Sequence, residues 1–198
     1  MEKMEFNTKI WEYYLILENR FINTFQYVEP RPINDMKNIN TYTFSKVYNQ
    51  LLLSIGSEID ILLKELCKKS GSTKVKDMDD YKVALKDYKN FPNEGCKYIY
   101  DDDVIYPFKS FNEEEAPQWW KDYNHLKHER LKDKYFALGN YINVTQSLAA
   151  LFIICRRLYS EYFKYEPTPK SRIFKMYNWP EYFMYDDEAL FFTDNENE

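Results

Sequence analysis

The groups best placed to do chemistry fall in one short stretch, Trp119 to Arg130 (WWKDYNHLKHER), which holds both histidines and two of the four tryptophans. On a helix, positions three and four apart share a face, so Trp120, Asn124, His128, Leu131, Tyr135 and Leu138 form one stripe. Asn124 and His128 interrupt an otherwise apolar series, which predicts a partly buried polar site. His125 and Lys127 point elsewhere on the helix. Arg130 stands two residues past His128 and is long enough to lean toward a phosphate held there.

That set suits phosphodiester cleavage without a metal. A histidine of near-neutral pKa can shuttle a proton, and a neighbouring cation can stabilise developing phosphoryl charge. Asparagine can orient the histidine or the backbone. If a ribose 2′-hydroxyl is the nucleophile, the protein has only positioning and proton transfer to supply. DNA lacks that hydroxyl, so the substrate implied is RNA. Two other readings fit the same residues: a solvated, charged helix face, or a polar seam where the helix meets a partner. A metal site is poorly supported, because His125 and His128 lack the glutamate of an H-E-x-x-H arrangement. No cofactor is called for.

Glu58 is the second polar anomaly. It shares a stripe with Leu51, Ile55 and Leu62, and a carboxylate among apolar neighbours seeks a cation or an amide. Arg130, His128 and Lys127 are the candidate partners, and an ordinary interhelical ion pair accounts for Glu58 equally well. Arg156 and Arg157 read as surface groups at the end of an apolar segment. Asp60 falls toward the polar side of its helix.

These groups need helices to hold them. The spacing of Ile10, Tyr14, Leu17 and Phe21 predicts a first helix over about 6–26, ended by a proline-containing connection from Val28. Val47, Leu51, Ile55, Ile59, Leu62 and Leu66 predict a second over about 43–69. Gly56 inside it costs about 1 kcal/mol against alanine, so a close helix crossing is expected there. A shorter helix is expected over 79–88. Residues 91–111 are the least helical, and a short hairpin or a long ordered loop both fit. Acidic residues and Pro117 mark the start of the helix carrying the candidate site, which is expected to run to about Leu138 and either to break at Gly139-Asn140 or to continue as one helix. The last helix is expected over about 141–163, lined by Val144, Leu148, Leu151, Ile154 and Leu158. The aromatic-rich segment after Pro167 and Pro169 is expected to pack back on the bundle or on a second subunit.

Composition agrees with a helical fold. Of 198 residues, 44% are apolar and only four are glycine, which favours helices over many short strands. The expected architecture is an all-α, antiparallel bundle of about four to five helices over 1–165, with a non-helical insertion near 91–111 and an aromatic C-terminal extension over 166–198. A net charge of −5 gives no strongly basic protein, although a local basic patch can still receive a phosphate backbone. Cys67, Cys96 and Cys155 are odd in number and far apart, so neither a disulfide framework nor a thiolate metal site is expected. The amino terminus lacks the apolar core of a signal peptide. The longest apolar run, Leu148 to Cys155, is too short to span a bilayer. A soluble protein of the reducing cytoplasm, with no membrane association, is the expectation.

The helix from Gly56 to Lys69 (GSEIDILLKELCKK), the segment WWKDYNHLKHER and the following NYINVTQSLAALF together resemble the HEPN superfamily, over roughly Tyr42 to Tyr162. The resemblance implies a helical bundle that pairs into homodimers. It also implies a metal-independent ribonuclease of a toxin–antitoxin or phage-defence system, or a relative that has lost activity and serves as an RNA-, nucleotide- or protein-binding module. An antitoxin or another protein partner would go with either. The active pattern of that superfamily is an arginine, a polar residue, three further residues and a histidine. Asn124 and His128 fall at the polar and histidine positions, whereas Tyr123 stands where arginine is expected and Arg130 follows the histidine instead. The resemblance thus implies His128 as acid or base, Asn124 as its orienting partner, Arg130 as phosphate contact, Lys127 and Tyr123 as substrate contacts, and Glu58 as an organising residue behind them.

Overall fold

In the computed structural model residues 2–33, 39–163 and 166–177 are described. The amino-terminal helix runs unbroken through three geometries. These are α1 (Lys3–Phe6), a π-helical turn at Asn7–Trp11, and α2 (Glu12–Asn23), with a 3₁₀ turn at Thr24–Gln26 ending it. Phe6, Ile10, Trp11, Tyr14, Leu17 and Phe21 are all buried, so the expected apolar side is the core side.

The central helix is α3 (Lys46–Lys69), which contacts α2, α5 and α7. Ser45 caps it by accepting a hydrogen bond from the Tyr48 N–H at 3.1 Å, satisfying one of the donors a helix start leaves open. Leu51, Ile55, Ile59, Leu62 and Leu66 are buried as their spacing predicts, but Val47 is 51% exposed and lies outside the packed face. Asp77 caps α4 (Met78–Leu85) in the same way, accepting from the N–H groups of Asp79 and Asp80.

The least helical segment folds as a short antiparallel hairpin, β1 (Gly95–Tyr98) with β2 (Val104–Ile105), Cys96 opposite Ile105. Its other edge is taken by β3 (Phe174–Tyr177), with Gly95 opposite Tyr177 and Tyr98 opposite Phe174. The strand order is β2-β1-β3. The described part of the aromatic extension therefore packs back on the body, while its continuation over 178–198 lies outside the described residues.

Two helices complete the bundle around α3. They are α5 (Gln118–Glu129) and α7 (Tyr141–Ser160), joined through the single turn α6 (Asp133–Phe136). Asn140 caps α7, its Oδ1 accepting from the Asn143 N–H at 3.0 Å. Gly139 is held where the chain bridges Ser45 and presses on α3: a Cβ there would meet the Asn49 Oδ1 at 1.9 Å. The protein is thus a helical bundle with a small antiparallel sheet at one edge.

Arg156 and Arg157, expected at the surface, are both largely buried. Each has a carboxylate to meet: Arg157 forms a buried ion pair with Glu94, and Arg156 Nη2 lies 3.1 Å from Glu166 Oε1. The apolar run that precedes them carries them inward because α7 is buried around most of its circumference. A further buried carboxylate, Glu18, meets no cation among the described residues. It accepts from the Tyr14 hydroxyl at 2.8 Å, from the Ser171 hydroxyl, and from the backbone N–H of Arg172 at 3.1 Å. Those bonds latch the segment leading into β3 onto α2.

Candidate functional site

The buried face of α5 is Trp119, Trp120, Tyr123 and Leu126, a spacing that turns the residues between them toward solvent. The Trp119 indole N–H donates to the Pro107 carbonyl at 3.0 Å and fixes the start of the helix against the segment that follows β2. Asp122 ties the helix to α7, accepting from Asn143 Nδ2 at 3.0 Å, and accepts within α5 from Gln118 Nε2 at 2.8 Å. Tyr123 packs on Gly56, where a Cβ would lie 2.4 Å from the ring. The close helix crossing expected at Gly56 is made by this tyrosine.

The expected continuation of the stripe to Leu138 is corrected. Helix α5 ends at Glu129, the backbone turns extended at Lys132, and Leu131 is 94% exposed. No glycine or proline marks that break. It is held instead by short-range contacts: Glu129 pairs with Lys132, and the His125 ring stacks on Tyr135 with centroids 4.5 Å apart and planes within 4°. The Lys132 ammonium draws the Glu129 carboxyl below its ordinary pKa.

Asn124 is half-buried and His128 exposed, one turn apart on the same side of α5. Tyr123, Asn124 and Lys127 line an open cleft of about 550 Å³ together with Asp60, Lys76 and Asp77. Arg130 lines a separate groove of about 350 Å³ with Lys46, Gln50 and Leu131. His128 lines neither. Within one chain, then, Tyr123, Asn124 and Lys127 come together and Arg130 stands apart from them. Among the described residues Asn124, His128 and Arg130 have no side-chain hydrogen bond or ion pair, and Lys127 sits over the Tyr123 ring at 5.6 Å.

Glu58 is half-buried on α3, and burial raises its carboxyl pKa. Its charge in turn adds to the effect of burial in holding the Cys155 thiol well above the ordinary range. The ion pair expected between Glu58 and Arg130, His128 or Lys127 is not formed among the described residues. Asp60, two residues on and therefore on the other side of the helix, is the α3 carboxylate that lines the cleft. It accepts from Lys64 at 2.6 Å and from the Tyr81 hydroxyl at 2.7 Å, and burial with this bond raises the tyrosine's pKa. Asp60, Lys76 and Asp77 were not singled out as site residues from sequence. Only Asp77 carried a local signal, as the cap before an apolar run.

Among the described residues no group of three His, Cys, Asp or Glu side chains is placed to hold a metal ion, and no helix is long and apolar enough to cross a membrane. The three cysteines are free and buried, and burial pushes the Cys67 thiol up to about 12. No protein-family model matches the chain, and neither does any curated protein or solved structure.

Proposed function

We propose that the exposed side of α5 engages RNA and cleaves it without a metal, in a cleft completed by a second copy of the chain. The observation that carries this reading is the placement of half-buried Asn124 and exposed His128 one turn apart at the open end of α5. His128 is the acid–base group. It takes the proton from a ribose 2′-hydroxyl as that oxygen attacks phosphorus, or delivers one to the departing 5′-oxygen. Lys127 and Arg130 flank it as phosphate contacts, and the stacked His125–Tyr135 pair offers a flat surface for a base. Because Arg130 and Asn124 open on different grooves of one chain, a facing copy must supply the missing half. Exposed Val47 and Ile61 on α3 and Leu131 after α5 provide apolar surface for pairing. This reading extends the resemblance to the HEPN superfamily.

The test is cleavage of a synthetic RNA in excess EDTA by the wild type and by His128→Ala, with the oligomeric state of both followed by light scattering. Cleavage lost in the variant while a dimer persists supports the assignment. Cleavage unchanged by the substitution, or a wild-type chain that cuts no RNA, overturns it.

A second reading, non-catalytic binding of RNA or of a partner protein, is favoured by one specific feature. Tyr123 occupies the position where the resembling motif carries arginine, and it is buried against Gly56 rather than free to grip a phosphate. Retention of labelled RNA by wild type without turnover, weakened by Lys127→Ala, is the outcome that selects this reading.

A further inference from the structure

The small sheet has two unlike faces. Cys96, Tyr98 and Phe174 are buried, with Tyr98 packed on Phe174 and Phe174 on Phe152 of α7. Side chains alternate along a strand, so Gly95, Lys97, Val104, Lys175 and Tyr177 fall on the opposite, outward face. Tyr106 lies across the glycine, where a Cβ would meet its ring at 2.8 Å. The Tyr106 and Tyr177 rings meet edge to face, with centroids 6.5 Å apart.

The charge among these residues is of one sign. Lys97 and Lys175 stand directly opposite each other in the ladder, an arrangement that works against folding. The Lys97 ammonium is 5.5 Å from the centre of the Tyr177 ring, and that of Lys109 is 5.9 Å from the centre of Tyr106. All three lysines are exposed, and none pairs with a carboxylate among the described residues. Of the carboxylates close in sequence, Glu94 pairs with Arg157, Glu114 with Lys86 and Glu115 with Lys121. Asp101 accepts from the Ile33 and Asp103 N–H groups. Asp102 and Asp103 belong to the hairpin turn, and Glu113 to the far end of the 3₁₀ turn that Lys109 begins. The net charge of −5 does not oppose a basic face, because residues 178–198 alone hold seven carboxylates and no lysine or arginine.

We propose that this face binds single-stranded nucleic acid, with unpaired bases stacking on Tyr106 and Tyr177 and phosphates meeting Lys97, Lys109 and Lys175. Aromatic rings interleaved with cations match a strand that has accessible base faces and a charge on every nucleotide. A duplex has its base faces already stacked and would meet only the lysines. A groove of about 360 Å³, lined by Val104, Tyr106, Lys109, Gln118 and Trp119, leads from the sheet to the start of α5 and gives the strand a way off the face. None of these residues lines the cleft or the groove of α5, so the site stands independently of the RNA-cleavage reading.

The experiment is fluorescence anisotropy of the full chain with labelled oligouridylate, oligothymidylate and a duplex of the same length, in EDTA. It is repeated on Lys97→Gln/Lys175→Gln and on Tyr106→Leu/Tyr177→Leu, with circular dichroism to check the fold. Saturable binding of the single strands is expected, about tenfold tighter than that of the duplex. The glutamine pair should reduce the slope of log Kd against log salt by about 1.4, two phosphate contacts of a single strand. The leucine pair should weaken binding at least about fivefold at fixed salt. No saturable binding, a duplex held as tightly as the single strands, a salt slope unchanged by the glutamine pair, affinity unchanged by the leucine pair, or displacement by polyglutamate as readily as by unlabelled strand would each overturn the proposal. Both variants leave α5 untouched, so strand binding without cleavage counts against the cleavage reading alone. Cleavage with unaltered affinity in the variants counts against the sheet alone.

Discussion

Gly56 and Tyr123 occupy one shared volume: the glycine has no Cβ, and the ring of the tyrosine stands where that atom would be. Tyr123 cannot swing clear, since it is buried and packs on Trp120 with centroids 4.9 Å apart. Gly56→Ala gains about 1 kcal/mol of helix propensity but overpacks the crossing by about 3 kcal/mol. The expected net loss is about 2 kcal/mol, or about 4–8 °C in melting temperature. Tyr123→Leu makes room, so a double-mutant cycle should show the alanine costing at least about 1 kcal/mol less in the leucine background. Additive losses would mean the two side chains do not compete for space.

The Glu94–Arg157 pair ties the end of α7 to the residue before β1, and both side chains are largely buried. Glu94→Ala takes a buried carboxylate away from the Arg157 guanidinium and is expected to cost about 3–5 kcal/mol in urea unfolding. Replacing both with apolar residues, Glu94→Leu with Arg157→Met, should cost less than the single change. A double variant as unstable as Glu94→Ala would indicate that the pair is not the source of the loss.

Glu18 holds the approach to β3, so its loss should be felt locally first. Glu18→Ala removes the acceptor of the Tyr14 and Ser171 hydroxyls and of the Arg172 N–H, at an expected cost of about 2–4 kcal/mol. Amide exchange at Arg172 and Ile173 should accelerate well before that of α3. Uniform acceleration across the chain would argue against a local latch.

Glu58 gives a pH dependence with a definite sign. Burial raises its folded-state pKa above the ordinary carboxylate value, so the folded state binds the proton more tightly than the unfolded chain. Its ionisation therefore lowers stability as pH rises from about 4.3 through the folded pKa, and the penalty persists above it. Glu58→Gln should melt higher than wild type at pH 7, by no more than about 3 °C because the group is only half-buried. The difference should vanish below about pH 4. A variant equally or less stable at pH 7 would show that Glu58 makes a compensating contact.

The helices were legible wherever burial follows a local period. Leu51 through Leu66 on α3 and Ile10 through Phe21 at the amino terminus declared their faces by spacing alone. The end of α5 was not legible, because the apolar stripe continues through Leu131 and Tyr135 while the backbone stops at Glu129. What breaks it is a set of contacts among His125, Glu129, Lys132 and Tyr135, in a stretch without glycine or proline. Arg156, Arg157 and Glu18 escaped a local reading for another reason. Their partners, Glu166, Glu94 and Ser171, are distant in sequence or belong to segments without a periodic pattern. At the candidate site, the placement of Asn124 and His128 on one side of α5 followed from spacing, whereas the division of the surface into two grooves depends on α3 and α4.

The pairing of β3 with β1 sets the order in which the molecule can be finished. The hairpin and the latch residue Glu18 are made long before the segment that closes over them. Until residues 171–177 arrive, β1 offers a bare row of backbone donors and acceptors, and the Glu18 carboxylate lacks the Ser171 and Arg172 donors that meet it in the finished fold. Closure is thus a late, non-local step, and a chain clipped or stalled before it carries an open strand edge that another copy can pair with.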